Sequence, residues 1–293
     1  MLVRAHAKLN LCLEVLGRRP DGYHEVRTVM QGIDLADDLE IVPSSTLRVK
    51  CDYPALDGED NLVWQAATTL SASCGRLPLA DISLKKRIPV GMGLGGGSSN
   101  AAAALLALDR LWDLNLPLER LVEIGSRLGS DVPYFFWGGA ALASGRGDII
   151  EPIPAKTGVP ATVIFPESTI PSKTARMYGY LGPADYSDGG VTRRCLQNLM
   201  EGLGADDLLY NVFQEIALRE LPGLQGISDA VTKACGRRPH LTGAGPAMFL
   251  LPSSEREHAE VLRALQPHGA QAYFVRTLGR SHKNAAGVCV SDL

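Results

Sequence analysis

The stretch PVGMGLGGGSSNAAAALLALDRLW, Pro89 to Trp112, places five glycines and two serines directly before a run of alanines and leucines. Glycine has no Cβ, so a glycine-dense loop reaches left-handed dihedrals and brings its N–H groups close to a ligand. The residues after the loop read as a helix: Ser98 and Ser99 are good N-cap types, and Leu105, Leu108, Leu111 and Trp112 recur at helical spacing. Orphan N–H groups and the positive end of the helix dipole then point at one place, which makes an anion site, and the expected ligand is a phosphate. The plainer alternative is a loop that only permits tight helix–strand packing, but packing alone rarely calls for three adjacent glycines followed by two serines.

The sequence around this loop is β-rich before it and mixed after it. Residues 2–16 alternate: Val3, Ala5, Ala7, Leu9, Leu11, Leu13 and Val15 share one face of a strand, and Arg4, His6, Lys8, Asn10 and Glu14 the other. RRPDGYHEV carries Pro-Asp-Gly turn chemistry, and HEVRTVMQGIDL returns as a second strand. LEIVP and TLRVKCD, joined by Ser-Ser, read as two more strands, NLVWQAATTLSAS as a helix, and DISLKKRIPV as the strand into the loop. Pro117 suits the first position of a helix PLERLVEIGSRLG, GSDVPYFF reads as a loop, and FFWGGAALASGRGDII as a hairpin. The proline-rich passage 152–171 marks an expected boundary between a domain of residues 1–152 and one of 153–293. In the latter, ATVIF is a strand, SDGGVTRR (187–194) a mobile loop, and DLLYNVFQEIALREL and GLQGISDAVTKACG are helices. HLTGAGPAMFLL gives strand, turn and strand, SEREHAEVLRALQ a helix and AQAYFVRTL a last strand, an α+β arrangement with helices over an antiparallel sheet.

The 293 residues are 45% hydrophobic and 21% charged, an ordinary globular composition with length for two domains. No run approaches the length of a membrane span and the N-terminus has no apolar leader, so a cytoplasmic protein without a membrane partner is expected. The six cysteines include no C-x-x-C and the six histidines no H-x-x-x-H, so free thiols and no structural zinc are expected. A net charge of −3 argues against a nucleic-acid surface and leaves small molecules as the expected partners, with oligomeric state open.

GMGLGG, 91–96, formally fits the dinucleotide fingerprint, but that fold needs a strand after the helix, and here a second helix comes next. A P-loop needs Gly-Lys, which is absent, and a protein kinase needs H-R-D and D-F-G, also absent. The chain instead resembles the small-molecule kinases of the galactokinase, homoserine kinase, mevalonate kinase and phosphomevalonate kinase (GHMP) superfamily, whose signature is Pro, a short Gly-rich loop and Ser-Ser before a helix. Three stretches carry the resemblance: AKLNLCLEVLGRRPDGYHEVRTVMQGIDLADDL at 7–39, IPVGMGLGGGSSNAAAAL at 88–105, and GSDVPYF at 129–135. LTGAGPAMFLL is the main match in the second half. The PDGYHEV stretch points within the superfamily to the branch acting on a cytidine-diphosphate-linked polyol. Homoserine or mevalonate kinases, which lack that stretch, and a silent ligand sensor lacking Lys8 or Asp131, are the alternatives.

The resemblance implies a two-domain α+β fold, β-rich with helices in the first domain and ferredoxin-like in the second, and phosphoryl transfer from ATP to the 2-hydroxyl of 4-diphosphocytidyl-2-C-methyl-D-erythritol. It implies Asp131 as the base and Lys8 as the active-site lysine; taken alone, these residues read as a helix cap and a solvated strand lysine. The implied nucleotide site runs along Pro89, Val90, Gly91, Met92, Gly93, Leu94, Gly95, Gly96, Gly97, Ser98 and Ser99, with Asn61, Leu62 and Lys86 beside the adenosine. Lys86 sits at apolar strand parity, and without a ligand its amine would snorkel to the surface. Asn10, Tyr23 and His24 are implied acceptor contacts, Tyr23 stacking on the pyrimidine and His24 pairing with its edge. Mg²⁺ is expected as the ATP counter-ion with no protein ligand assigned, because two more glycines precede Ser98 than in most of the superfamily. Ala244 would meet phosphate by backbone only.

Overall fold

The structure, a computed structural model, describes residues 1–167, 173–201 and 209–280, and the backbone of 289–291. Two long antiparallel strands, β1 (Leu2–Arg18) and β2 (His24–Pro43), form its spine. LEIVP continues β2 instead of making a separate strand. The short β3 (Arg48–Cys51) does not fold back on β2 through Ser-Ser; it pairs in parallel with β4 (Ala80–Lys85), which itself lies against the Asp38–Pro43 part of β2. The hairpin β5 (Ala140–Ser144) and β6 (Ile149–Ile153) adds to β2 at Thr28–Gln31.

The expected alternation of β1 is interrupted. Register shifts fall between His6 and Lys8, Asn10 and Cys12, and Val15 and Gly17. A bulge changes which way following side chains point. Val3 and Ala5 accordingly enter the core under the helices α1 (Leu62–Ser73) and α2 (Gly96–Leu111), whereas Ala7, Leu9 and Leu11 enter a core shared with the second sheet. Residues 7–15 are buried throughout, because both faces of β1 are covered.

Helix α2 packs closely because Ala101, Ala102, Ala103 and Ala104 are all fully buried and present no bulk to α1 and the sheet. It begins earlier than expected. Gly95, left-handed at φ 74°, is its N-cap, and Ser98 and Ser99 lie inside the first turn. Pro117 is likewise the N-cap, not the first residue, of α3 (Leu118–Leu128), and the expected loop at GSDVPYFF contains a buried helix α4 (Val132–Trp137).

The second sheet has the order β11-β7-β10-β9, from β7 (Pro160–Pro166), β9 (His240–Leu241), β10 (Met248–Leu250) and β11 (Ala270–Arg276), with antiparallel neighbours. Helix α8 (Leu224–Cys235) connects towards β9 and α9 (Glu255–Leu265) joins β10 to β11, the βαββαβ order of a ferredoxin-like unit. Ser254 and Glu257 close a capping box at the start of α9.

Three pieces of the second half depart from expectation. Helix α5 (Lys173–Gly179) was not foreseen. The segment expected to be mobile leads into α6 (Gly190–Met200), held because the buried Glu14 carboxylate accepts the N–H groups of Thr192 at 2.7 Å and Val191 at 3.4 Å, an anion at a helix N-terminus. The single helix expected at 207–221 is instead β8 (Tyr210–Asn211) and α7 (Gln214–Glu220), with residues 207 and 208 outside the described ones. β8 pairs in parallel with β1, and β12 (Cys289–Ser291) in antiparallel, so the C-terminal half completes the first sheet.

Candidate active site

The loop before α2 is anchored from behind by Asp37, a residue with no distinguishing mark in the sequence. Its fully buried carboxylate accepts from the N–H groups of Arg87 and Ile88, from Asn100 Nδ2 and from the Lys86 ammonium. Lys86 therefore does not snorkel: its amine turns inward, and also reaches Asn100 Oδ1 at 3.2 Å. Beyond this anchor Gly91, Gly93 and Gly95 all take left-handed dihedrals. At Gly93 a Cβ would stand 2.6 Å from the Thr242 carbonyl oxygen, and at Gly95 2.7 Å from Phe135 Cζ. These two positions admit only glycine, since both space and φ exclude a side chain.

Lys8 and Asn10 share a direction, as the strand parity predicts, because no register shift falls between them. The Lys8 ammonium, almost wholly buried, donates to Asn10 Oδ1 at 2.5 Å and to the Gly93 carbonyl at 2.9 Å, and lies 3.6 Å from Asp131 Oδ2. Burial lowers its pKa and the Asp131 charge opposes that. Asn10 is fixed in turn: its Nδ2 donates to Thr28 Oγ1 at 2.8 Å and its backbone N–H to Thr242 Oγ1 at 2.9 Å. Both ends of its amide thus have protein partners, and it orients Lys8. Asp131 sits just before α4 yet makes no side-chain cap bond, so its carboxylate is left for the cleft.

Two clefts meet at Asp131. One, of about 520 Å³, is lined by Lys8, Asn10, Asn61, Leu62, Lys86, every residue from Pro89 to Ser98, Asp131 and, from the second half, Thr174, Gly243 and Ala244. Ser99 does not line it and is buried in the first turn of α2. Asn61 also caps α1, accepting the Val63 N–H at 2.8 Å. The other cleft, of about 800 Å³, is lined by Tyr23, His24, Ser98, Ser130, Asp131, Arg146, Thr174, Tyr178 and Tyr186 among others. Tyr23 is half exposed, with the Arg146 guanidinium 4.8 Å over its ring. His24 packs 5.0 Å from Tyr178 and 6.1 Å, edge-on, from Tyr186. Burial and the nearby Arg18 hold its pKa below the usual value, so it is a neutral imidazole near neutral pH, able both to donate and to accept.

The structure thus brings together Lys8, Asn10, Asp131 and the glycine loop, and sets Tyr23 and His24 in the adjoining cleft. It adds Arg146, Thr174, Tyr178 and Thr242, none of them expected from sequence. Arg146 lies in the GRGD turn of a foreseen hairpin, where only its position at the tip hints at a role; Thr174 and Tyr178 are on the unforeseen α5 and carry no signal.

A relative from Dehalococcoides mccartyi named 4-diphosphocytidyl-2-C-methyl-D-erythritol kinase is 38% identical over 276 residues, 94% of this chain and 97% of the relative. The chain belongs to the 4-diphosphocytidyl-2-C-methyl-D-erythritol kinase family. Residues 61–139 match the family description "GHMP kinases N terminal domain". A solved structure of a 4-(cytidine 5'-diphospho)-2C-methyl-D-erythritol kinase superposes with a TM-score of 0.79 at 34% identity, covering 95% of this chain and all of that one. Homoserine kinase from Cytophaga hutchinsonii, 18% identical, superposes with a TM-score of 0.73 over 99% of this chain and 96% of its own, and shows the shared fold. The resemblance drawn from the three N-terminal stretches is therefore that of a family member, with the α+β GHMP kinase fold.

Proposed function

We propose that the protein transfers the γ-phosphoryl group of ATP to the 2-hydroxyl of 4-diphosphocytidyl-2-C-methyl-D-erythritol, in the non-mevalonate route to isoprenoids. The observation that carries this reading is the Asp131 carboxylate, placed where a glycine-loop cleft and an aromatic cleft meet and paired with the buried Lys8. Phosphoryl transfer needs positioned phosphates, neutralised charge and a group to take the hydroxyl proton. The loop from Gly91 to Gly97 and Ser98 provide the first, with the adenosine towards Asn61, Leu62 and Lys86. Lys8, held by Asn10 and the Gly93 carbonyl, puts a cation beside the transferring group, where a buried charge acts strongly. Asp131 accepts the proton of the attacking hydroxyl, with the Lys8 ammonium 3.6 Å from its Oδ2. The hard oxygens of Ser98 and Asp131 in the same cleft would hold Mg²⁺, which when bound would supply charge neutralisation on the ATP phosphates.

Acceptor selection falls to Tyr23 and His24. The half-exposed Tyr23 ring in the acceptor cleft suits a pyrimidine, and a neutral imidazole held by Tyr178 and Tyr186 suits a base edge. On this reading residues 1–152 form the ATP-binding domain and 153–293 the second, which closes the clefts with α5 and the Thr242–Gly245 turn. Two charged nucleotide substrates support a reaction in the cytoplasm. The test is ATP consumption against a panel of the cytidine-linked substrate, its uridine analogue, methylerythritol phosphate, homoserine and mevalonate. Strong preference for the cytidine compound is expected, because a polar pocket left unpaired rejects a ligand sharply. Equal rates with the uridine analogue would refute the acceptor assignment.

A further inference from the structure

Two buried ammonium groups bracket the start of the glycine loop. Lys8 reaches the Gly93 carbonyl from β1, and Lys173, the first residue of α5, donates to the Gly91 carbonyl at 2.6 Å. Lys173 is only 6% exposed. The two carbonyls belong to left-handed glycines two positions apart, so the paired lysines hold successive turns of one backbone segment. Burying an ammonium is costly, and a second one nearby raises the cost: burial first, and the Lys8 charge second, depress the pKa of Lys173. A lysine amine buried at that cost and turned onto one backbone carbonyl fixes that carbonyl. Its helix also serves the other cleft, since Thr174 lines both clefts and Tyr178 packs on His24.

We propose that Lys173 is a positioning residue of the nucleotide site: it fixes the Gly91 carbonyl, and so the course of the loop under the phosphates, from the helix that walls the acceptor cleft. This rests on the kinase reading above. The Lys173 amine holds the loop in its binding form before ATP arrives, so its loss appears as weaker nucleotide binding and not as slower chemistry. Acceptor contacts, made further along α5, are spared.

The experiment compares the full chain with Lys173→Met, Lys173→Gln and Lys173→Arg. A non-hydrolysable ATP analogue and the acceptor are titrated separately by calorimetry, and KM and kcat are measured in parallel. The Met variant is expected to bind the analogue about ten- to a hundredfold more weakly, the scale of one hydrogen bond from a charged donor, with KM for ATP raised to match. Its kcat and acceptor affinity stay nearly unchanged, and Lys173→Arg, which retains a charged donor, recovers most of the loss. Unchanged nucleotide affinity in the Met variant would overturn the proposal. A fall in kcat alone would also overturn it, since the ammonium would then act on the transferring group itself. A loss confined to the acceptor would do the same. If Met does not fold, Gln and Arg carry the same comparison. Failure of the unmutated protein to bind the analogue would overturn the kinase reading and this proposal with it.

Discussion

Replacing Asp37 should loosen the glycine loop from behind and remove a large part of the folding free energy. Its Oδ1 accepts from the N–H groups of Arg87 at 2.7 Å and Ile88 at 2.8 Å, while Oδ2 takes Asn100 Nδ2 at 2.9 Å and the Lys86 ammonium. Asp37→Leu removes these four acceptances together. Breaking a buried ion pair from one side costs about 3–5 kcal/mol, because the remaining charge is stranded. The orphaned N–H of the buried Ile88 adds about 1–3 kcal/mol. The sum, roughly 4–8 kcal/mol, compares with the ~5–15 kcal/mol that typically separates folded from unfolded protein. Lys86→Met alone leaves the carboxylate three neutral donors and should cost less. In the double variant no charge is stranded, so its loss should fall short of the summed single losses by at least about 2 kcal/mol. Guanidinium unfolding followed by tryptophan fluorescence measures all three variants against the parent. Additivity within about 0.5 kcal/mol would refute the reasoning, since the pair would then not be coupled.

Asp131→Asn should lower turnover by roughly two to four orders of magnitude while leaving ATP affinity nearly intact, the scale of a lost general base; steady-state kinetics with separate nucleotide titration tests this, and retained turnover would remove the assignment. Gly95→Ala forces a side chain into left-handed backbone and against Phe135 and Lys8, so ATP binding should fall by at least about tenfold, from a strain of roughly 1–2 kcal/mol per residue. A folded variant with parental affinity would show that the loop is not held this way. The pKa of Lys173 is lowered from 10.5 to about 7. Between those values the unfolded chain binds more protons than the folded one, so stability should rise as pH increases from about 7 towards 10.5. Lys173→Met removes that contribution, and identical pH slopes for parent and variant would contradict it.

The glycine loop, the Lys8–Asn10 direction and the hairpin strands were legible because each rests on local signals: bare backbone, period-two alternation and turn residues. The second sheet was legible for the same reason. What escaped depended on distant partners. Nothing near residue 190 announces that Glu14 will meet its N–H groups, so a glycine-rich segment read as mobile is a helix start. Asp37 looks like one acid among several in IDLADDL, and only folding shows it turned into the core while Asp38 stays half-buried beside Arg87. The change of core along β1 comes from a bulge, which alternation alone does not mark. Ser98 and Ser99 show the reverse case: good capping types were present, but a left-handed Gly95 took the cap.

The burial of β1 on both faces has a consequence for how the chain is made. Its residues 7–15 are covered in part by elements from far along the chain, and Asn10 takes a partner, Thr242, that lies 232 positions later. At about 5–20 residues per second, a ribosome needs roughly ten to fifty seconds to deliver that partner. Throughout that interval an apolar strand waits beside β2 with one face uncovered. Lys8, the proposed active-site lysine, lies on that same strand, so the proposed site cannot mature during synthesis of the N-terminal half, and the nascent chain must be kept from aggregating until its last third has emerged.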